Sequence, residues 1–379
     1  MKWTRLLYLG LVLSAFIVLP SCGGSGGNGE TGTLSVALID ASTDDYKAVY
    51  VTITEVHVHL SGDVWRVVGS PNKTYNVLNL INGVREELAS AELEAGNYIQ
   101  LRLIIGETSD GKLNIAGKEH PYANYAIGLD DTVHELNIPS GLQRGVKIIR
   151  AFTINSNRTT ELLLDFTISQ SVVVGGNSGT WLLKPTIKVL TTEEVAIIGG
   201  AVVDGESKPL SGVLVSAQIN DASASDIKDL VVIETSTVTD EEGQYKMLVK
   251  PGTYNIVAYR TGYYPAVKCA VSLAERQVPE NYDFALPSVA TGTVSGNVTI
   301  TDAKPGEYVT ISFREFVDCG GTDPRMEIKS LNVINGGDYS TKLPVGFYDA
   351  VVSTDGKESI IKVDVGVTED KITNLPINM

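Results

Sequence analysis

Four histidines, a few paired carboxylates and three cysteines are the residues of this 379-residue chain whose types could do chemistry. His57 and His59 stand two apart, so on a strand both rings leave one face, as a pair of metal ligands would. No third ligand is adjacent, and histidines packed or solvated on a strand are the cheaper reading. His120 precedes Pro121 in a loop, and His134 stands beside Glu135 in a strand. His134 or the His57/His59 pair could act as base in an uncharacterised hydrolase, but no nucleophile elbow or Cys-His signature accompanies them. Asp44-Asp45, Asp130-Asp131 and Thr239-Asp240-Glu241-Glu242-Gly243 offer oxygens to calcium, whose sites need several converging at once. Their spacing makes no EF-hand loop, and Asx turns explain all three. Sugar recognition uses exposed aromatic rings with polar groups nearby, and Trp65, Tyr122, Tyr125, Trp181, Tyr263 and Tyr264 are candidates by type. No residue earns a catalytic role from the sequence, and no cofactor is expected.

The firmest chemistry belongs to Cys22. Lys2 and Arg5 open the chain, Leu6 to Leu19 is apolar and free of charge, and Ser21 precedes the cysteine. That run is too short to span a bilayer comfortably, which takes about 20 apolar residues. The pattern resembles the lipobox of bacterial lipoproteins, with Leu19, Ser21 and Cys22 fitting and Pro20 departing from it. The resemblance implies a signal peptide over 1–21, cleaved before Cys22, and a diacylated thiol. The alternative is an ordinary secreted protein with an incidental cysteine. Residues 22–32 continue as a Gly/Ser-rich stretch that cannot bury a core and can act as a tether. Gly23 after the cysteine resembles the outer-membrane sorting pattern of enteric lipoproteins. The expected location is therefore the cell envelope, lipid-anchored at the outer membrane, with the periplasmic or surface face left open.

Composition narrows the remainder. Hydrophobic residues make up 43% of the chain, enough for packed cores, and the length suggests two or three domains. Net charge is -15, and the loss of Lys2 and Arg5 with the signal would take it to -17. Such a balance argues against nucleic acid, whose binding rests on clustered Lys and Arg. It also argues against attraction to anionic lipid, so contact with a membrane is expected through acyl chains alone. Cys269 and Cys319 are too few for a disulfide framework. They are expected as two separate buried thiols, with one bridge between neighbouring domains as the alternative.

Any site must be positioned by strands. Ile99, Leu101, Leu103 and Ile105 alternate with Gln100 and Arg102, and Leu162, Leu164, Phe166 and Ile168 repeat the pattern. Apolar parity flips near Glu55 between Val49-Val51-Ile53 and Val56-Val58-Leu60, which predicts a bulge or break there. Only Val84 to Leu93 reads as helical, with Val84, Leu88 and Ala91 on one face. The class is all-β, with tandem antiparallel β-sandwich domains after a signal peptide and flexible tether.

Two family resemblances refine this. Gly32-Thr33-Leu34-Ser35-Val36, Leu38-Ile39-Asp40-Ala41, Val49-Tyr50-Val51-Thr52-Ile53, Glu94 to Leu103, Leu136 to Gly141, Leu162 to Phe166 and Trp181 to Pro185 follow one another in order. Residues 33–192 thereby resemble the DUF4382 family of exported domains, which implies no catalytic residues. Ile198 to Val203, Lys208 to Val215, Thr239 to Tyr245 and Lys250 to Tyr254 make residues 195–287 similar to the carboxypeptidase regulatory-like domain. That likeness implies a transthyretin-like sandwich, grouped with starch-binding-like folds, in an accessory role without peptidase activity. Gly243, Tyr245, Gly252 and Tyr254 recur as Gly337, Tyr339, Gly346 and Tyr348, all 94 residues on. Residues 291–379 are therefore expected to be a related sandwich. The expected function is a non-enzymatic, lipid-anchored binding or scaffolding module, facing a glycan or an envelope protein. A carbohydrate-binding accessory lipoprotein is the alternative.

Overall fold

Alternating apolar residues drive strand formation through nearly the whole of the computed structural model, which describes residues 30–379 apart from 42, 61, 63, 140–144, 176–178, 276–279 and 322. The N-terminal apolar segment, Cys22 and tether residues 23–29 lie outside the described residues. The described chain is nearly all β and folds as tandem β-sandwiches.

The first sandwich packs a four-stranded sheet against a larger one. The smaller sheet runs Ile187–Thr191, Thr159–Thr167, Thr31–Ala41, Glu86–Glu94, with the two central strands parallel. The larger is built around Tyr46–Leu60, which pairs with four other strands along its length. Leu34, Val36, Leu38, Leu162, Leu164 and Phe166 face Val49, Val51, Ile53, Val56 and Val58 across the core, all fully buried. At about 25 cal/mol per Å² of apolar surface removed from water, this layer is the main stabiliser of the unit.

The parity flip near Glu55 is a bulge. Ile53 pairs with Ile105 and Glu55 with Ile104, which leaves Thr54 as the extra residue. A second shift, between His59 and Leu60, puts Tyr98 in the core and Ile99 outside it, so Ile99 does not share the face of Leu101 and Leu103.

The helix expected over Val84 to Leu93 is instead the strand Glu86–Glu94. Val36 pairs with Ala89 and Ala37 with Glu87, so Leu88 is an inserted residue opposite Thr31–Ala41. The bulge breaks the period of two and produces a spacing of three between Leu88 and Ala91 that mimics a helix.

The next two pairs of sheets have the same strand order. One sheet runs Gln244–Val249, Ala196–Asp204, then Glu280–Asn281 with Phe284–Leu286; its counterpart runs Asp338–Pro344, Thr291–Thr299, then Ile372–Asn374 with Ile377–Asn378. The other sheet runs Val231–Val238, Leu214–Asn220, Gly252–Tyr259, Ala266–Leu273, against Arg325–Ile334, Tyr308–Phe316, Gly346–Ser353, Ile360–Val367. Matched tyrosines close matched turns. The Tyr254 hydroxyl donates to Lys250 O at 2.8 Å and the Tyr348 hydroxyl to Pro344 O at 3.0 Å. The Tyr245 and Tyr339 hydroxyls donate to Tyr282 O and Leu375 O, both at 2.6 Å. Bulges recur as well, with Ala270 and Asp364 both at positive φ, 53° and 56°.

These two units pack sheet against sheet. Val257 and Tyr259 leave their own core and join the cluster of Ile311, Phe313 and Met326. Gln218 Nε2 donates to Glu327 O at 2.7 Å while Glu327 N donates to Gln218 Oε1 at 2.9 Å. Buried Arg314 donates to Ile227 O and Lys228 O. This packing overturns the expectation of separate thiols. Cys269 on the edge strand Ala266–Leu273 is disulfide-bonded to Cys319, which follows Tyr308–Phe316 in the next unit, with Cα atoms 5.8 Å apart. The two cysteines are 50 residues apart in sequence and only the stacked sheets bring them together.

Candidate functional site

The strand Arg325–Ile334 lies at the edge of its sheet, where unpaired backbone groups invite another strand. The first sandwich covers it. Val174 N donates to Asn332 O at 2.9 Å, and Ile334 N donates to Val174 O at 3.1 Å. Asn332 Nδ2 adds bonds to Ser169 O at 2.9 Å and Val172 O at 3.2 Å.

Beside this bridge, Lys329 Nζ lies 2.5 Å from Asp44 Oδ1 and 2.5 Å from Asp45 Oδ1. The Thr43 hydroxyl donates to Asp45 Oδ2 at 2.7 Å. Burial pushes the Asp44 carboxyl up towards its neutral form, with the Lys329 charge opposing. Burial alone would lower the Lys329 pKa, but the charges of Asp45 and Asp44 outweigh it and raise the net value. A buried ion pair is weak evidence of stability, yet removing one partner strands the other, at about 3–5 kcal/mol.

Next to the ion cluster a cleft of about 250 Å³ runs between the first and third pairs of sheets. Tyr46, Trp181 and Val172 form one side, and Leu331, Asn332 and Ser340 the other. The Tyr46 and Trp181 rings meet edge to face with centroids 6.0 Å apart. His134 stacks on the indole at 3.9 Å with its plane only 10° away. Burial lowers the His134 pKa, with the Asp130 charge opposing, so the stacked ring is neutral at pH 7.

The remaining aromatic candidates are scattered. Trp65 stacks under the Arg102 guanidinium at 3.9 Å and against His59 at 4.7 Å. Tyr125 is fully buried on Tyr50, with burial pushing its hydroxyl up to about 12, while Tyr122 beside it is exposed. Tyr263 sits under Arg260, and Tyr264 is exposed. Trp181 alone among the six lines the cleft.

The histidines are engaged in packing contacts. His57 Nε2 contacts Glu55 Oε2 at 2.6 Å, and His59 is buried against Trp65. His120 Nδ1 bonds the Tyr125 hydroxyl at 2.9 Å and its Nε2 lies 3.8 Å from Asp110, but its side chain is only 3% exposed and offers a substrate no approach. Among the described residues no group of three or more His, Cys, Asp or Glu is placed to hold a metal. The carboxylate pairs make local turns and ion pairs. Asp130 accepts from Thr132 N at 3.1 Å, Asp131 pairs with Lys47 at 2.6 Å, and Asp240 Oδ1 accepts from Gln244 N at 2.8 Å.

Sequence reasoning missed Tyr46 and Lys329. The Asp44-Asp45 doublet just before Tyr46 was a local signal. Lys329 had none, since its partner Asp44 lies 285 residues away.

No curated protein matches the sequence. Among solved structures, the Bacillus anthracis TIE protein is 13% identical with a TM-score of 0.21, over 92% of this chain and 51% of that one. The chain thus spans about half the length of that protein's chain. The shaft pilin SpaA from Lactobacillus rhamnosus GG is 11% identical with a TM-score of 0.19, over 49% of this chain and 97% of the pilin. A streptococcal ancillary pilin is also 11% identical with a TM-score of 0.19, over 92% and 99% of the two chains. Likenesses this slight carry no argument. Family models match more directly, one described as a domain of unknown function (DUF4382) over residues 31–185 and one as a carboxypeptidase regulatory-like domain over residues 197–287. The chain therefore carries a DUF4382 domain followed by a carboxypeptidase regulatory-like domain.

Proposed function

We propose that this is a non-enzymatic module of the cell envelope, anchored through acyl chains on Cys22 and acting by binding or scaffolding. The observation that carries the reading is where the buried polar groups sit. Lys329, Asn332, Gln218 and Arg314 all tie one sandwich to another. Groups used in that way favour a stiff body over a catalytic centre. The lipobox-like run and the Gly/Ser tether support attachment, since two or three acyl chains hold far more firmly than one. Residues 291–379 are, in this reading, a second unit of the carboxypeptidase regulatory-like kind, supported by the shared strand order and tyrosine bonds. A carbohydrate-binding accessory role is the second reading, favoured by the cleft at Trp181.

Membrane fractionation tests the anchor. Wild-type protein should sediment with membranes, at outer-membrane density in a sucrose gradient, and Cys22→Ala should be released. Equal retention of the variant would overturn lipid attachment.

A further inference from the structure

The Lys329 cluster sets an amine against two carboxyls where water has little access. Asp44 and Asp45 lead into the strand Tyr46–Leu60 of the first unit, and Lys329 lies within Arg325–Ile334 of the third. Phe313 pairs with Lys329 and Arg314 with Glu327, so Ile328 is an inserted residue next to the lysine. A bulge of this kind re-aims the side chains beside it. Lys329 Nζ comes to 2.5 Å from one oxygen of each carboxyl. The Lys329 side chain is only 9% exposed, Asp44 14% and Asp45 33%. A void of about 20 Å³ adjoins the cluster, lined by Asp44, Lys329, Ser169, Ser216 and Ser236 among others. It has room for about one water molecule.

The three groups are suited to different parts in one reaction. Burial drives Asp44 towards its neutral acid, the form in which a carboxyl carbon is open to attack by an amine. The carboxylate charges hold the proton on Lys329, so free amine is scarce and any reaction is slow. Moving that proton from Nζ to Asp44 leaves a neutral amine facing a neutral acid. Two charges then leave the interior, where ionic groups are costly. Asp45, the more exposed carboxyl, is held by the Thr43 hydroxyl within reach of Nζ and can relay a proton. Groups fixed in contact react as if at about 10⁵–10⁸ M in well-oriented cases. That advantage offsets the unfavourable equilibrium of amide formation in water.

We propose that Lys329 and Asp44 condense into an isopeptide bond that joins the first unit covalently to the third. The Nζ lone pair attacks Asp44 Cγ, the Nζ–Cγ bond forms, and one Cγ–O bond breaks. Asp45 passes the proton from nitrogen to the departing oxygen, which leaves as water with space beside it in the void. Ammonium and carboxylate become amide and water, so the step needs no oxidant, reductant or co-reactant. Before condensation the site is the ion cluster, and its charge-dependent stability belongs to that state. The proposal goes beyond the scaffolding reading and is independent of acylation at Cys22.

Peptide mapping of the full-length protein, with the disulfide reduced, tests it. Cleavage after glutamate releases residues 31–55, which carry Asp44, and residues 328–358, which carry Lys329. Tandem mass spectrometry should find the two joined with the loss of one water, the branch at Lys329 and Asp44. The joined fraction should grow over a week at neutral pH. Lys329→Arg and Asp44→Ala should abolish it, and Asp45→Ala should slow it at least about a hundredfold. Circular dichroism reports whether each variant folds, and the map of the wild type decides the matter even where one does not. The proposal is overturned if the wild-type peptides are recovered only apart after the week. It is also overturned if the branch lies at Asp45, if water is lost from residues 31–55 without joining, or if Lys329→Arg still yields the joined species. None of these outcomes bears on the Cys22→Ala fractionation, so failure of the bond and failure of the anchor are separately visible.

Discussion

Lys329 illustrates how much depends on a single buried charge. Its ammonium is held between Asp44 and Asp45 at the contact of two sandwiches. Lys329→Met leaves two carboxylates facing each other with no cation and should cost about 3–5 kcal/mol, read as a lower urea midpoint. Asp44→Asn should cost far less, since Asp45 still neutralises the lysine. The pH dependence has a definite sign. The folded pKa of Asp44 lies above its ordinary 3.8, so the folded state takes up the proton more readily than the unfolded one. Stability of the wild type relative to Asp44→Asn should therefore rise as pH falls through the raised folded value, levelling below about 3.8. A difference that shrinks on acidification would mean that Lys329 stabilises the ionised form more than burial opposes it. The Asp44-Asp45 doublet was visible in the sequence as a pair of carboxylates, but its role was not, because a lysine 285 residues away supplies the other half.

At the scale of elements, glycines separate backbone strain from close approach. A Cβ at Gly296 would lie 2.1 Å from Leu375 O, a backbone atom that cannot swing aside. Gly296→Ala should therefore force apart Thr291–Thr299 and the chain end that pairs with it, losing several kcal/mol in thermal unfolding. Gly356 has open space around it and only a positive φ of 76°, so Gly356→Ala should cost about 1–2 kcal/mol. The tyrosine turns are milder. Tyr245→Phe and Tyr339→Phe each remove one hydrogen bond to a backbone carbonyl and should each cost about 1 kcal/mol, by similar amounts in the two units. Alternation identified Leu162, Leu164 and Phe166 as one buried face, because period two is a local property of the chain. It failed at Leu88 and Ile99, where a bulge on one strand is set by its pairing with another.

The whole molecule is held by contacts between sandwiches as well as within them. The disulfide between Cys269 and Cys319 closes a loop of 50 residues across two units. In the loop-entropy account such a closure contributes about 4 kcal/mol. Dithiothreitol should lower the thermal midpoint by several degrees, and Cys269→Ser should match the reduced wild type and no longer respond to the reagent. A midpoint that dithiothreitol leaves unmoved would show that the sheet-to-sheet packing holds the units together without the covalent link.

By itself the sequence determined the strand-rich class, the two family resemblances and the repeat at an offset of 94, because periodicity, turn residues and motif order are carried by neighbours along the chain. It also determined the candidacy of Cys22, through the apolar run before it and the glycines after it. Tertiary structure alone decided that Cys269 and Cys319 pair, that Lys329 meets Asp44, and that Trp181 of all the aromatic candidates borders a cleft. Each of those facts joins residues from different sandwiches. Contacts of that kind depend on which faces of folded sheets meet, and face matching leaves no local trace in the order of amino acids.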